Sequence, residues 1–434
     1  MSSRYDDRHE SPENYDIVPD KGPNWSKVFG IVLSIVLAVV VIGGVLIFYF
    51  GHNLINMANY VPDNEVQVVK KVEELPEEAF ETVAADEKKG KVVQEEELQK
   101  IHDSMANVDK KFETPVNDKV YNFLLVGVDR RDKSWNGNSD SMMLVSINYG
   151  AKRVSIVSLM RDTYVEIPDV GYEKLNNAYA RGGGPLLTQT ISNMYNIELK
   201  DYAAVDFENM IEIVDAVGGV DLEMTDAEVE VANGYMRDMC NTLNMNGEEY
   251  VLPGGGQYHC NGVQAVAYAR NRFVGNSDYA RTERQRYVIS QLIKEIKSMN
   301  AAQLASFVAD VLPLVTHNVS ESSIWELVKQ APDILTYKFV QDRIPYDGLY
   351  EVIYVRGQDM LVPDWDQTVT KLHETIYGSG EVSENYDNVQ EDRTTGNDEF
   401  TDDYIEKYIK PYANDGNGEN AGNTTDQAKT DVQA

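Results

Sequence analysis

The chain has 434 residues, with 39 Lys and Arg against 71 Asp and Glu, for a formal charge of −32. That balance argues against a general polyanion-coating surface, so a local basic cluster reads as a discrete phosphate site. Two cysteines and six histidines leave no Cys/His metal cluster and argue against a Ser-His triad.

Residues 1–27 form a short tail carrying Arg4, Arg8, Lys21 and Lys27. Val28 to Phe50 is an uncharged apolar run. At ~1.5 Å per residue it would span roughly 34 Å, enough for a bilayer core with some tilt. It is longer than the apolar core of a signal peptide, and it leads into His52 and Asn53 rather than a small-residue cleavage site. We read it as a single N-terminal transmembrane helix. The next basic residues are Lys70 and Lys71, so the tail is expected in the cytoplasm and everything after Phe50 outside. A disulfide between Cys240 and Cys260 is then expected, worth roughly 3 kcal/mol; two buried thiols are the alternative.

Residues 51–117 are charged and mixed, and read as a membrane-proximal spacer, helical around Glu95 to Met105, without a core of its own. Residues 118–378 read as one globular domain. Tyr121–Asp129, Ser141–Tyr149 and Lys152–Asp162 are buried-strand runs. Gly184–Asn196 has helical periodicity, Asp201–Phe207 is strand-like, and Glu208–Val220 is a helix closing at Gly218 and Gly219. Asp226 to Tyr250 reads as a local insertion. Gly262–Arg270, Tyr279–Met299, Ala301–Val311 and Ser322–Lys338 read as helices, before short strands at Lys338–Ile344 and Leu349–Arg356. The alternation predicts an α/β (α+β-like) fold with a central mixed sheet flanked by helices on both faces. Residues 379–434 read as an acidic disordered tail, with a brief helical possibility at Asp402–Tyr412.

Three groups of residues could carry chemistry. Asp129 ends one strand and Asp140 starts the next, so a hairpin would bring both carboxylates to one end of the sheet, where oxygen-only ligation suits Mg2+. Loop capping is the bland alternative. Arg161-Asp162 follows a buried strand, where α/β proteins place ligand contacts; a surface ion pair is the alternative. Arg270, Arg272, Arg281, Arg284 and Arg286 crowd one segment. Arg281, Arg284 and Gln285 are spaced to share one helix face, and Asp278 stands near that helix start. A solvated face would mix Lys and Glu, whereas guanidinium matches phosphate through paired hydrogen bonds. With no P-loop, nucleophile elbow or HExxH motif, Asp, Arg and Mg2+ point to phosphoryl transfer.

The motifs NFLLVGVDRR, NSDSMMLVSI, VSLMRDTYVEIP, EKLNNAYARGGG, DAVGGVDLEM, HCNGVQAVAYARNR and DYARTERQRYVI together resemble the LytR-CpsA-Psr family of cell-wall glycopolymer ligases. The resemblance runs from about Asn122 to Met299, and on to Gly378 through RIPYDGLYEV and LVPD. It implies a single-pass protein of the cell membrane that transfers a phosphate-linked glycopolymer (teichoic acid, capsule or similar). The donor would be a polyprenyl-pyrophosphate carrier in an apolar channel, and the acceptor the C6 hydroxyl of peptidoglycan N-acetylmuramic acid. By position, Asp129 and Asp140 match residues that hold Mg2+ (or Mn2+). Arg161, Arg270, Arg272 and Arg281 match the arginines that grip pyrophosphate, with Asp278 and Gln285 in support. Lys174, Asn176 and Tyr179 match a motif lining the same site, and Arg131 and Arg284 are further expected substrate contacts. Asn138 departs from the pattern, standing where the family usually has arginine. Asp140 and Asp278 are the two candidates for general base.

Two other readings remain at this stage: a pyrophosphate hydrolase using the same site with water, and a membrane-anchored regulatory protein that binds polyprenyl phosphates without turnover. No basic DNA-reading helix is visible, so nucleic acid is not an expected partner.

Overall fold

The structure, a computed structural model, describes residues 59–62, 68–76, 79–80, 88–115, 117–130, 134–334 and 336–378. The expected cytoplasmic tail and transmembrane helix, the acidic tail and Arg131 lie outside the described residues. Among the described residues no helix is long and apolar enough to cross a membrane.

Two two-residue strands, β1 (Asn59–Tyr60) and β2 (Lys91–Val92), and two helices, α1 (Glu95–Met105) and α2 (Val108–Lys111), come first. Strands β3 (Val120–Asp129), β4 (Asn138–Asn148) and β5 (Arg153–Leu159) form an antiparallel meander, followed by a hairpin of β6 (Tyr164–Ile167) and β7 (Gly171–Lys174). Then come α3 (Asn177–Tyr195), β8 (Asp201–Asp206), α4 (Phe207–Val217), β9 (Val220–Met224) and α5 (Asp226–Thr242). Next are β10 (Gly256–Cys260), α6 (Gly262–Arg270), α7 (Ser277–Ser298), α8 (Ala301–Val311), β11 (Thr316–His317) and α9 (Glu321–Ile334). The chain closes with β12 (Lys338–Ile344), β13 (Tyr350–Val355), β14 (Gln358–Pro363) and α10 (Trp365–Tyr377).

The central sheet has the order β1-β11-β8-β3-β4-β5-β12. It is mixed: β8 runs parallel to β3, and β12 parallel to β5, around the antiparallel meander. Side chains alternate across it, as the two-residue strand period demands. Phe123, Val145, Ile147 and Ile156 enter one core with Val214 of α4, Tyr268 of α6 and Val288 and Leu292 of α7. Leu124, Leu144, Val157 and Leu159 enter the other, against Leu187 and Ile191 of α3 and Trp365, Val369 and Leu372 of α10. Helices therefore cover both faces, as expected.

Local signals fix the helix ends. Asp206 caps α4 by accepting from Asn209 N, and Thr225 with Glu228, and Asn261 with Gln264, form capping boxes on α5 and α6. Helix α3 is kinked at Gly182 and Gly183. Just beyond the kink, a Cβ on Gly184 would lie 2.3 Å from the Tyr202 ring, so only glycine lets helix and strand approach there.

The spacer reading of residues 51–117 needs correction where the chain is described. β1 extends the sheet beside β11, and β2 pairs with β13. Met105 and Val108 are buried in the second core, with Leu98, Ile101 and Phe112 packed on it. Leu98, Ile101 and Met105 form a helical stripe, and that stripe needs a partner, which the domain supplies.

Candidate active site

One cavity of about 730 Å3 lies between the first face of the sheet and the helices over it, and its lining changes character from end to end. At the mouth stand Asp129, Asp140, Arg161, Lys174, Asn176, Arg270, Arg272, Arg281 and Gln285. Behind them the walls are apolar: Leu125 and Met143 from the meander, Ala203 and Val205 from β8, Met210 and Ile213 from α4. Helix α7 runs the length of this gradient. Arg281, Gln285, Val288, Leu292 and Ile296 all line the cavity, at spacings that fall on one helical face, and fifteen steps at 1.5 Å carry it about 22 Å inward.

The ends of the strands aim the charged groups. β3 and β4 pair Gly127 with Ser141 but Val128 with Ser139, so Asp140 is the extra residue of a β-bulge. A bulge re-aims a side chain, and here Asp140 and Ser141, adjacent in sequence, both line the cavity. Gly127 makes room, since a Cβ there would sit 2.9 Å from Ser141 Cβ. Arg161 follows β5, Lys174 ends β7, and Arg270 ends α6; a short loop then brings Arg272, and the first turns of α7 bring Asp278 and Arg281.

These groups are held by a set of ion pairs. Arg161 Nη1 donates to Asp140 Oδ1 at 3.1 Å, and its Nε is 3.5 Å from Asp278. Arg281 reaches Asp278 at 3.0 Å and Asp140 at 3.8 Å; Lys174 Nζ is 2.6 Å from Asp162; Arg270 donates to Asp129 at 2.9 Å. Burial would raise the Asp278 carboxyl, but Arg281, Arg161 and Arg272 outweigh it and hold Asp278 far below the usual carboxylate range. Asp162 goes the other way: its burial pushes it up despite Arg161 and Lys174. Asn176 Oδ1 and Arg281 Nε are buried with no hydrogen-bond partner among the described residues.

Residues 83–374 match the LytR_cpsA_psr family model. The chain belongs to this family. Among its relatives, a polyisoprenyl-teichoic acid–peptidoglycan teichoic acid transferase TagU of Enterococcus faecalis is 32% identical over 245 residues, covering 55% of this chain and 73% of the relative. Biofilm regulatory protein A of Streptococcus mutans is 30% identical over 300 residues, covering 60% and 70%. A solved structure of the LytR-CPS2A-psr family protein YwtF (TagT), with octaprenyl pyrophosphate bound, is 22% identical and covers 62% of this chain and 95% of that one at a TM-score of 0.44.

Most residues expected of a LytR_cpsA_psr site gather at the mouth, but three do not. Asp278 stands behind Arg161 and Arg281 rather than in the lining, with its side chain 14% exposed. Tyr179 is also set back, near Arg130 and Asp206, and burial pushes its hydroxyl up to about 12. Arg284 departs furthest from expectation. It is fully buried, with Nε on Glu228 at 2.9 Å and its two terminal nitrogens on the Asn271 and Val274 carbonyls at 2.9 Å. The face shared by Arg281 and Gln285 turns Arg284 toward α5 instead, where it braces the loop that carries Arg272.

The disulfide is likewise corrected. Cys240 and Cys260 are free, buried thiols. Cys240 packs among Met236, Met239 and Val263, while Cys260 belongs to the first sheet core with Val220 and Leu222. Burial pushes the Cys260 thiol up to about 12, so it is inert.

Sequence reasoning missed the aromatic frame of Arg270, whose guanidinium lies 5.3 Å from the Phe207 ring and 5.6 Å from that of Tyr235. Aromatics on amphipathic helices read simply as core, so no signal marked these two. It also missed Ala79 and Phe80, which line the mouth from within the supposed spacer; Asn138 Nδ2 donates to Ala79 O at 3.1 Å.

Among the described residues no three His, Cys, Asp or Glu side chains gather as a metal cage. Asp129 and Asp140, two hard oxygen donors that both line this cavity, are of the type that suits a Mg2+ taking its remaining ligands from phosphate and water.

Proposed function

We propose that this protein transfers a phosphate-linked glycopolymer from a polyprenyl-pyrophosphate carrier to peptidoglycan. The observation that carries the proposal is one cavity that is arginine-rich at its mouth and apolar behind it, along about 12 Å of α7 from Val288 to Ile296. Such a cavity matches a ligand with a multiply charged head and a long hydrocarbon tail. The family, and the teichoic acid transferase among its relatives, support the same reading. The apolar run at residues 28–50 would anchor the chain, with the domain outside beside its lipid-borne donor.

In this reading the tail lies along the α7 stripe, and Arg161, Arg270, Arg272, Arg281 and Lys174 stabilise charge on the two phosphates. An acceptor hydroxyl attacks the phosphorus nearest the glycan; its new O–P bond forms as the bond to the lipid phosphate breaks, and polyprenyl phosphate leaves with the electron pair. In this reading Asp140, which lines the cavity, would accept the hydroxyl proton. Asp278, ionised and enclosed by arginines, is placed to align Arg161 and Arg281. A Mg2+ held by Asp129 and Asp140 would supply further charge neutralisation on the pyrophosphate.

The test uses the full-length protein in detergent with a polyprenyl-pyrophosphate-linked oligosaccharide, peptidoglycan oligomers and Mg2+, followed by mass spectrometry. A phosphodiester-linked adduct that disappears with Arg270→Ala is expected. Free phosphorylated glycan alone would make the protein a hydrolase, and unchanged bound lipid would make it a binding protein.

A further inference from the structure

We propose that a second, polar cavity beside the mouth is the subsite for the acceptor, an N-acetylated amino-sugar strand; this rests on the transferase reading above. The cavity measures about 320 Å3, within the roughly 300–1,000 Å3 of small-molecule sites. Arg130, Asp206 and Phe207 line both cavities, so the second opens from the rim of the phosphate site. Glu208, at the start of α4, and Thr242 and Asn244, at the end of α5, complete its polar wall.

The chemistry of that wall selects the ligand. Carboxylate, hydroxyl and amide groups suit sugar hydroxyls and N-acetyl groups, and none of the α7 stripe reaches this cavity. Among its described lining residues two carboxylates stand against one guanidinium, a balance that disfavours a phosphate-rich polymer. Asp206 is held rigidly, accepting from Asn209 N at 2.9 Å and from Arg130 Nη2 at 3.3 Å. Phe207 joins the two sites, since Arg270 sits over its ring while donating to Asp129 at the mouth. An attacking hydroxyl must approach in line with the departing lipid phosphate, not through the channel that holds the tail. This cavity opens from the rim of the mouth and lies apart from that channel's α7 stripe.

Similar N-acetylated sugars could come from the first units of the donor, so the experiment separates the two sources. Full-length wild type, Thr242→Trp and Glu208→Gln in detergent are titrated calorimetrically with three probes: muramidase-released peptidoglycan oligosaccharide, bare polyprenyl pyrophosphate, and the glycan-bearing carrier. Thr242 is exposed, so a tryptophan there fills the cavity without entering the core. The expected result is a loss of oligosaccharide affinity of about tenfold or more in Thr242→Trp and a smaller loss in Glu208→Gln, with both lipids bound as in wild type. Unchanged oligosaccharide affinity in Thr242→Trp would overturn the proposal, as would a loss confined to the glycan-bearing carrier. Oligosaccharide binding that is sensitive to Thr242→Trp in a protein that forms no adduct would uphold the subsite and sink the transferase reading. Adduct formation with an unchanged acceptor KM in Thr242→Trp would do the reverse.

Discussion

Arg281 touches Asp278 with one terminal nitrogen and approaches Asp140 with the other, so its position is set before any phosphate arrives. Donors fixed in advance where charge develops contribute several kcal/mol to catalysis. Arg281→Ala should therefore lower turnover of the folded protein about 100-fold or more, read from initial rates normalised to the folded fraction by circular dichroism. Arg281→Lys should also lose most activity, because an ammonium cannot span two carboxylates. Asp278 allows a sharper test. Three arginines hold it ionised, so Asp278→Asn should slow turnover by loosening Arg161 and Arg281 without moving the acidic limb of the pH–rate profile. A shifted limb would make Asp278 the base.

At the scale of elements, the bond between α5 and α7 is a buried pair: Glu228 is 1% exposed and Arg284 fully buried. Removing one partner strands the other, at about 3–5 kcal/mol, whereas removing both is far milder. Arg284→Met should thus lower the denaturation midpoint strongly, and Glu228→Gln with Arg284→Met should recover part of it. A double variant no better than the single would show that the braced loop carbonyls, not the ion pair, carry the effect. The same pair shows where sequence reading stops. Helical spacing put Arg281, Arg284 and Gln285 close together, and that was legible, as were the bounds of α6 and α8. Which of two adjacent arginines turned inward depended on a glutamate 56 residues away. Strands β1 and β2 have two residues each and exist only through their partners, so no local pattern announces them. Helix α10 was legible but unread: Asp364 caps it, and Trp365, Val369, Leu372 and Ile376 repeat at helical spacing. The bulge at Asp140 is a matter of register between two strands, and a single strand cannot reveal it.

For the molecule as a whole, the described residues between 59 and 115 belong to the folded unit. A chain beginning at residue 116 should melt well below one beginning at residue 59 in calorimetry, since it exposes the second core where Met105 and Val108 were buried. Acid should weaken the fold through its buried imidazoles. Burial lowers His317 and His373, the latter held against the Tyr195 and Asn196 carbonyls. Their folded pKa values lie below the unfolded value of about 6.5, so the unfolded chain takes up more protons as pH falls below that point. Stability is then full above it and declines toward the folded values. His373→Gln, measured at pH 7 and pH 5, should lose less melting temperature between the two than wild type does.

The central sheet separates two cores, and this divides the molecule's tasks at the level of single letters. Leu125, Met143 and Val205 border the space a ligand would fill, while Leu124, Leu144 and Ala204, each one residue away, are sealed in the opposite core. Along these strands the protein can be retuned for a bulkier or longer carrier one position at a time, while the neighbouring positions keep the structure standing.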